Sequence, residues 1–453
     1  LLLLPILVLS NHRLGILHPL LMAVVVWPLI SQLPQVIQDL GGWGGVLVGL
    51  PVNVPFYLGL PSHSPTTVWM ATAKYNTIEI IALLCTYAGF WLFKVRPKPR
   101  LPLVLPDSRV FQGVLLSLIG LSLLVLLAFV YSRGGIIAHV TSLGLGRFRE
   151  LSGAGPIIVA SRLGTIALYL WIAARPDDAK SPIFLACLAA ITVTQFISNG
   201  SRSRALEVPM VAGVIWALRK QRVPWRTALI LAPFLFVSLG LLGAVRSSTW
   251  TGQDAGEVWS STGIEESLLH VQQELEGRRA ISAQIPIVAR GFEVTGGPML
   301  GSTYMAALGA IVPRTIWEDK PRGPGSLYAQ MFLGASSEAF GTPVAPPTEM
   351  YWNFGIGGVL LLSLLYGALI RIAYNAFWRR FPSPFAVVFF ALFLTGFKIG
   401  TIPLVDFEQS LGLLGVCYIA TFLVPRRKYA VAKPRGRFAP GAAAMPAAGA
   451  ALQ

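Results

Sequence analysis

Hydrophobic residues in this chain come in long blocks, not in two-residue alternation. Mostly apolar runs lie at 14–33, 71–93, 111–131, 155–174, 181–198, 204–218, 227–245, 351–374, 384–404 and 408–424. A bilayer-spanning helix needs roughly 20 such residues. The apolar piece at 1–10 reads as the end of a further span, which makes about eleven. Sustained alternation is missing, so helices fit and an outer-membrane barrel does not. The pattern divides the chain into an N-terminal transmembrane bundle (1–245), an extracytoplasmic loop (246–350), C-terminal transmembrane helices (351–424) and a basic tail (425–453). Within the loop, 264–285 has the spacing of a surface helix lying on the bundle. The softer run 298–312, ended by Pro313, is short for a span and predicts a re-entrant or horizontal helix. The Ala, Pro and Gly of 433–453 predict disorder.

Composition agrees with the pattern. Of the 453 residues, 54% are hydrophobic and only 12% charged, which excludes an ordinary soluble domain and a disordered chain. The formal charge of +16 would point to nucleic acid in a soluble protein. Here its placement changes the meaning. Arg13, the loops 94–110, 175–180, 219–226 and 371–383, and the tail together hold 21 Lys or Arg against three acids. The opposite side holds 14 against 17. The positive-inside rule makes the first face cytoplasmic, so the long loops are expected to face outward. Basic residues scattered over short turns form no nucleic-acid module. Cys85, Cys187 and Cys417 sit apart within apolar runs, and the five histidines are dispersed, so no metal site is expected.

The informative charges are the outward ones, because charge at membrane depth is costly and usually pairs or serves a function. NGSRSRALE at 199–207 places Arg202 and Arg204 at a helix N-terminus, where dipole and side chain together favour an anion. Glu207 stands at i, i+3 from Arg204 and could hold it. The plainer alternative is a short turn with snorkelling arginines. Arg290 is either an anion contact or an ion pair with Glu293; Arg246 is a weaker candidate. Arg314, Lys320 and Arg322 share a Pro- and Gly-bracketed loop with Trp317, Glu318 and Asp319. Arginine forks suit phosphate oxygens, tryptophan stacks on sugar rings, and a carboxylate can accept a hydroxyl proton. A solvated charged loop is the alternative there. Glu349, Tyr351, Trp352 and Asn353 lead into a span, where Tyr and Trp are first of all interface anchors. His139, Arg133, Arg147 and Arg149 line another outward loop, whose FRE ending (Phe148, Arg149, Glu150) reads as a solvated face. Lys398 is expected to pair with Asp406 or Glu408. Phosphate-cradling glycine loops, HExxH and GxSxG are absent.

Three stretches carry a family likeness: the NGSRSR turn, the run YMAALGAIVPRTIWEDKPRGPGSLYAQMFLG at 304–334, and EMYWNFGIGGVLL entering the next span. The chain resembles the oligosaccharide repeat-unit polymerases of the Wzy type, over about a fifth of its length. The resemblance implies an all-α polytopic membrane protein, GT-C-like, with a large and partly helical extracytoplasmic loop. It implies a glycosyltransferase that polymerises undecaprenyl-pyrophosphate-linked oligosaccharide units, metal-independent, inverting and without a cofactor. Membrane lipids, a chain-length regulator and a flippase are the implied partners. Arg202, Arg204, Arg290, Arg314, Arg322 and Lys320 become the expected pyrophosphate clamp, Arg290 on charge placement alone. Glu349 or Asp319 is the expected base, with His270 as an alternative, and Trp317, Tyr351 and Asn353 the expected sugar contacts. The competing readings are an O-antigen ligase acting on lipid A and a transporter of lipid-linked sugars.

Overall fold

The computed structural model describes residues 18–21, 59–60, 64–93, 103–106, 108–136, 138–139, 142, 154–199, 202–221, 283–309, 317, 319, 321–334, 342–422, 424 and 426–429. After a single helical turn at Pro19–Leu21, twelve further helices follow among these residues. They are α1 (Pro65–Leu92), α2 (Ser108–Ser132), α3 (Gly155–Ser161), α4 (Leu163–Ala174), α5 (Pro182–Asn199), α6 (Arg202–Lys220), α7 (Gln284–Thr295), α8 (Ser302–Leu308), α9 (Pro324–Leu333), α10 (Pro346–Arg380), α11 (Pro384–Gly396) and α12 (Thr401–Ala420). Strands β1 (Leu103–Pro106) and β2 (Arg426–Tyr429) pair antiparallel. Four stretches are long and apolar enough to cross a membrane: Arg109–Ser132, Gly155–Ala174, Pro346–Arg380 and Thr401–Ala420. Pro182–Ser198 and Pro384–Gly396 are shorter apolar helices. The protein is thus helical and membrane-embedded, as its hydropathy predicts. The expected spans 14–33 and 227–245, the helix 264–285 and the tail 433–453 lie largely or wholly outside the described residues.

Several boundaries differ from the hydropathy pattern. The chain leaves the helix at Phe397–Gly400, so the expected span 384–404 is divided there and α12 starts at Thr401. Lys398 therefore sits in a break between helices. It interacts electrostatically with Glu79, and Asp406 is paired with two arginines. The span 155–174 is two helices meeting at Arg162. In the outward loop after α2, His139 is buried and its Nε2 lies 3.2 Å from the Ile197 carbonyl oxygen, while the FRE ending lies outside the described residues. The His139 ring meets Phe129 edge-on at 5.4 Å. The run 298–312 does contain a short helix, α8, packed against α12 and α10.

The loops assigned to one face by charge come together. Lys220 Nζ is 2.5 Å from Asp177 and holds that carboxyl below its ordinary range. Arg219 donates to the Pro382 carbonyl (2.7 Å), and Trp216 donates to the Pro176 carbonyl (3.1 Å). The β1–β2 ribbon ties the 103–106 segment to the start of the tail.

The main core gathers aromatic and aliphatic residues of α2, α4, α6, α10, α11 and α12, with Trp171, Phe377 and Phe390 fully buried. Phe377 and Phe390 stack at 4.3 Å. The closest crossing is between α1 and α10. A Cβ on Gly89 would strike the Leu364 carbonyl, and one on Gly367 would strike the Thr86 carbonyl. Small residues let two backbones touch, and in a membrane that contact supplies much of the packing energy.

One long helix is broken. Within α10, Gly355 has φ 64° and ψ −158°, a region essentially confined to glycine. The break frees carbonyls that lipid could not satisfy. Backbone N–H groups supply the partners: Met299 donates to the Trp352 oxygen (3.1 Å) and Leu300 to the Asn353 oxygen (2.9 Å). The turn that presents them needs positive φ at Gly296, Gly297, Leu300 and Gly301. Gly355→Ala is expected to destabilise the protein by about 1–3 kcal/mol, read as a lower Tm in detergent. An unchanged Tm would mean that the helix is not broken there.

Candidate functional site

The buried polar hub under this break is built by three helices. Glu349, near the start of α10, is 1% exposed. Its Oε2 accepts the Thr401 backbone N–H at 2.9 Å. Its Oε1 accepts the Thr303 hydroxyl at 2.7 Å and lies within reach of the Thr401 hydroxyl. The Thr401 hydroxyl also reaches the Thr303 carbonyl at 2.9 Å, so its one proton serves one acceptor or the other. A carboxylate at the first turn of α12 is favoured by the helix dipole. Gly400 makes room for it: a Cβ there would stand 3.2 Å from Glu349 Oε2. Asn353, one turn on, donates to the Thr303 hydroxyl and to the Glu349 carbonyl, both at 2.8 Å. Its Oδ1 accepts the Gly301 N–H at 3.0 Å. Both side-chain polar atoms of Asn353 are thereby used: the oxygen seats the turn at 299–301, and the nitrogen ties Thr303 to α10.

Above the hub, the break opens a groove of about 460 Å³ lined by Lys74, Thr77, Ile78, Phe292, Tyr351 and Ile356. Tyr351 and Ile356 come from the two sides of Gly355. Phe292 stacks on Tyr351 at 5.0 Å, and Lys74 Nζ lies 5.1 Å from the same ring. One cation, two aromatic faces and two aliphatic walls therefore share one opening. A cap of α7, α9 and the segment before α10 packs beside it on Tyr328, Phe332, Val344 and Trp352. Gln284 ties this cap together, donating to the Pro343 carbonyl (3.2 Å) and accepting from the Ala345 N–H (3.3 Å).

The other expected residues fall in different places. Arg204 is paired twice, with Glu207 at 3.0 Å, as the i, i+3 spacing predicts, and with Asp406. Arg162 joins the same cluster, 3.7 Å from Asp406 and donating to Gln409 at 2.9 Å. Two arginines and two carboxylates leave this cluster close to neutral. Arg290 makes the ion pair that was its alternative reading, 3.3 Å to Glu293, and reaches the Gly59 carbonyl at 3.4 Å. Arg322 is exposed and donates to Gln330 at 2.5 Å. Asp319 is exposed and Trp317 half-buried. Arg202 opens α6. Arg314, Lys320, Glu318, Arg246 and His270 lie outside the described residues. Among the described residues no group of His, Cys, Asp and Glu could hold a metal ion.

Sequence reasoning missed Thr303, Thr401, Lys74 and Arg162. The two threonines carry no signal in one sequence. Lys74 and Arg162 do, since each is a lone cation in an otherwise apolar helix. No family model, curated protein or solved structure matches the chain.

Proposed function

We propose that the protein is a membrane glycosyltransferase that polymerises undecaprenyl-pyrophosphate-linked oligosaccharide units outside the cytoplasm, on a GT-C-like bundle of about eleven spans in a bacterial inner membrane. The observation that carries this reading is a convergence. Two of the segments with the family likeness, 304–334 and 349–361, adjoin one hub, where Glu349 bonds Thr303 just ahead of the first. The groove beside that hub has a composition suited to such a substrate. Tyr351 and Phe292 offer faces to a sugar, Ile78 and Ile356 offer walls to a prenyl chain, and Lys74 offers a charge to phosphate. The third segment, around Arg204, meets α12 at Asp406, five residues beyond Thr401.

In the proposed reaction the acceptor hydroxyl of one lipid-linked unit attacks the anomeric carbon of the other. The bond to the undecaprenyl pyrophosphate breaks, and the hydroxyl proton passes to a carboxylate. Charge gathering on the departing pyrophosphate is stabilised by fixed cations, so no metal is needed. Arg202, Arg290, Arg314, Lys320 and Arg322 are the proposed contacts, joined by Lys74. Arg204 is assigned chiefly to holding α6 on α12. Asp319, exposed on its loop, is proposed as the base, because Glu349 is enclosed by donors. Trp317 and Tyr351 are proposed to stack on sugar, and Asn353 to hold the site from below. A chain-length regulator and a flippase are the proposed partners.

Purified protein given a lipid-linked repeat unit alone should produce a ladder of chain lengths. Arg314→Ala should abolish it with the protein still folded in detergent, and Arg314→Lys should restore little if the contact is a bidentate fork. A wild-type ladder from Arg314→Ala would remove the clamp. Product only after lipid A is added would make the protein a ligase. A transporter is the second reading, favoured by the half-buried charges of Arg162, Arg204, Asp406, Glu79 and Lys398. It requires labelled substrate to enter proteoliposomes regardless of Arg314.

A further inference from the structure

At the opposite end of α10 from the hub, polar donors line up without acceptors. Arg371, Asn375 and Arg379 recur every four residues along the last turns of α10. That spacing puts them on one stripe of the helix, spanning about 12 Å. Arg371 Nε, Asn375 Nδ2 and Arg379 Nε are all buried, and none has a hydrogen-bond partner among the described residues. Trp91 Nε1, near the end of α1, is a fourth buried donor in the same condition. It belongs to the same place: the Arg371 guanidinium carbon lies 5.9 Å from the Trp91 ring and 5.0 Å from the Phe90 ring. Helix α1 ends at Leu92, so the stripe runs on past it toward Arg380.

Buried donors are normally satisfied, and each exception asks for an explanation. Guanidinium and indole groups only donate, and a carboxamide nitrogen likewise only donates. No ion pair brings a carboxylate to Arg371 or Arg379 among the described residues; Asp177 and Asp178, in a loop grouped with this one by charge, are held by Lys220 and Arg175. A set of donors alone, two of them cationic, calls for an anion with several oxygens. The flanking rings of Trp91, Tyr374 and Trp378 are of the two types that settle at the edge of a bilayer.

We infer that Trp91, Arg371, Asn375 and Arg379 form a binding site for the phosphate of an anionic lipid headgroup at the end of the bundle where α10 terminates. Basic pockets between spans on the positively charged face are suited to such headgroups. The phosphodiester would lie along the stripe, taking the donors of α10 on one side and the Trp91 N–H on the other. The acyl chains would follow the apolar faces of α1 and α10 into the bilayer. This site is separate from the groove at Gly355 and does not depend on the proposed activity.

The test uses the full chain in nanodiscs of phosphatidylcholine containing spin-labelled phosphatidylglycerol or spin-labelled phosphatidylcholine. The immobilised fraction of each labelled lipid is read by electron paramagnetic resonance. Wild type should prefer the anionic lipid by about thirtyfold, as two cationic contacts at the membrane surface imply. Arg371→Gln with Arg379→Gln should remove most of that preference. If the double variant does not fold, Asn375→Leu, which keeps both charges, should still weaken it. Equal immobilisation of the two lipids by wild type, or an unchanged preference in a folded variant, would overturn the inference. Loss of the preference on adding inorganic phosphate at matched ionic strength would reassign the site to free phosphate and overturn the lipid assignment.

Discussion

Replacing Glu349 by alanine should cost about 4 kcal/mol and leave little folded protein, whereas glutamine should be tolerated. The carboxylate accepts the Thr401 N–H and the Thr303 hydroxyl and touches the Thr401 hydroxyl, all in the buried interior. Hydrogen bonds to a charged group contribute about 1.5–3 kcal/mol each, and an abandoned buried donor adds its desolvation penalty. Alanine strands the Thr401 N–H and the Thr303 hydroxyl, leaves the Thr401 hydroxyl with the Thr303 carbonyl alone, and opens a cavity between α8, α10 and α12. Glutamine can turn its oxygen to the Thr401 N–H and its NH2 to the two hydroxyls, which can accept as well as donate. Its expected cost is about 1–2 kcal/mol. The pair separates two roles for this residue. If Glu349 only positions α8 and α12, Glu349→Gln makes polymer within a few-fold of wild type. If it is the base, the same variant is folded and inactive. Thermal unfolding in detergent with the chain-length assay reads both, and a stable Glu349→Ala protein would show that the hub does not hold the fold.

Gly367→Val should be as damaging, for a different reason. Even the first carbon of a side chain at this position would meet the Thr86 carbonyl, with the Phe90 nitrogen 2.7 Å away. The obstacles are backbone, so no rotamer change relieves them. Helices α1 and α10 would have to part, loosening both cores that this crossing supports. Overpacking usually costs about 1–3 kcal/mol, and a rigid neighbour puts this case at or above the upper end. Gly357 gives the control on the same helix, since a Cβ there meets nothing within 4 Å. Gly357→Ala should be neutral, or stabilising by up to about 1 kcal/mol through helix propensity. Equal Tm values for Gly367→Ala and Gly357→Ala would refute the close crossing.

Much of the fold was legible because hydropathy has a length scale set by the bilayer. The runs 71–93, 111–131, 181–198, 204–218 and 351–374 each appear within a helix or nearly so. The grouping of loops by charge also reappears as contacts, in Lys220–Asp177 and the β1–β2 ribbon. The breaks were less legible. Hydropathy runs smoothly through Arg162 and through 397–400, because the polar residues there are few and their neighbours apolar. Gly355 gives no warning either, since glycine also sits inside intact helices, as Gly357 and Gly358 do here.

For the candidate site, the sequence by itself singled out three segments as candidates: the NGSRSR turn, the loop at 313–325 and the run beginning at Glu349. It did so because charge and rigid turn residues are conspicuous against an apolar background. It could not decide what each charge does. Arg204 and Arg290 are cations in any reading of the sequence; the fold supplied their acids, Asp406 from 202 residues away and Glu293 from the next turn. Glu349 reads as an acid at the outer interface and a candidate base, and only tertiary packing enclosed it between Thr303 and Thr401. The physical reason is the same in each case. Hydropathy is a local property of the chain, whereas the partner of a buried charge is fixed by where distant helices meet.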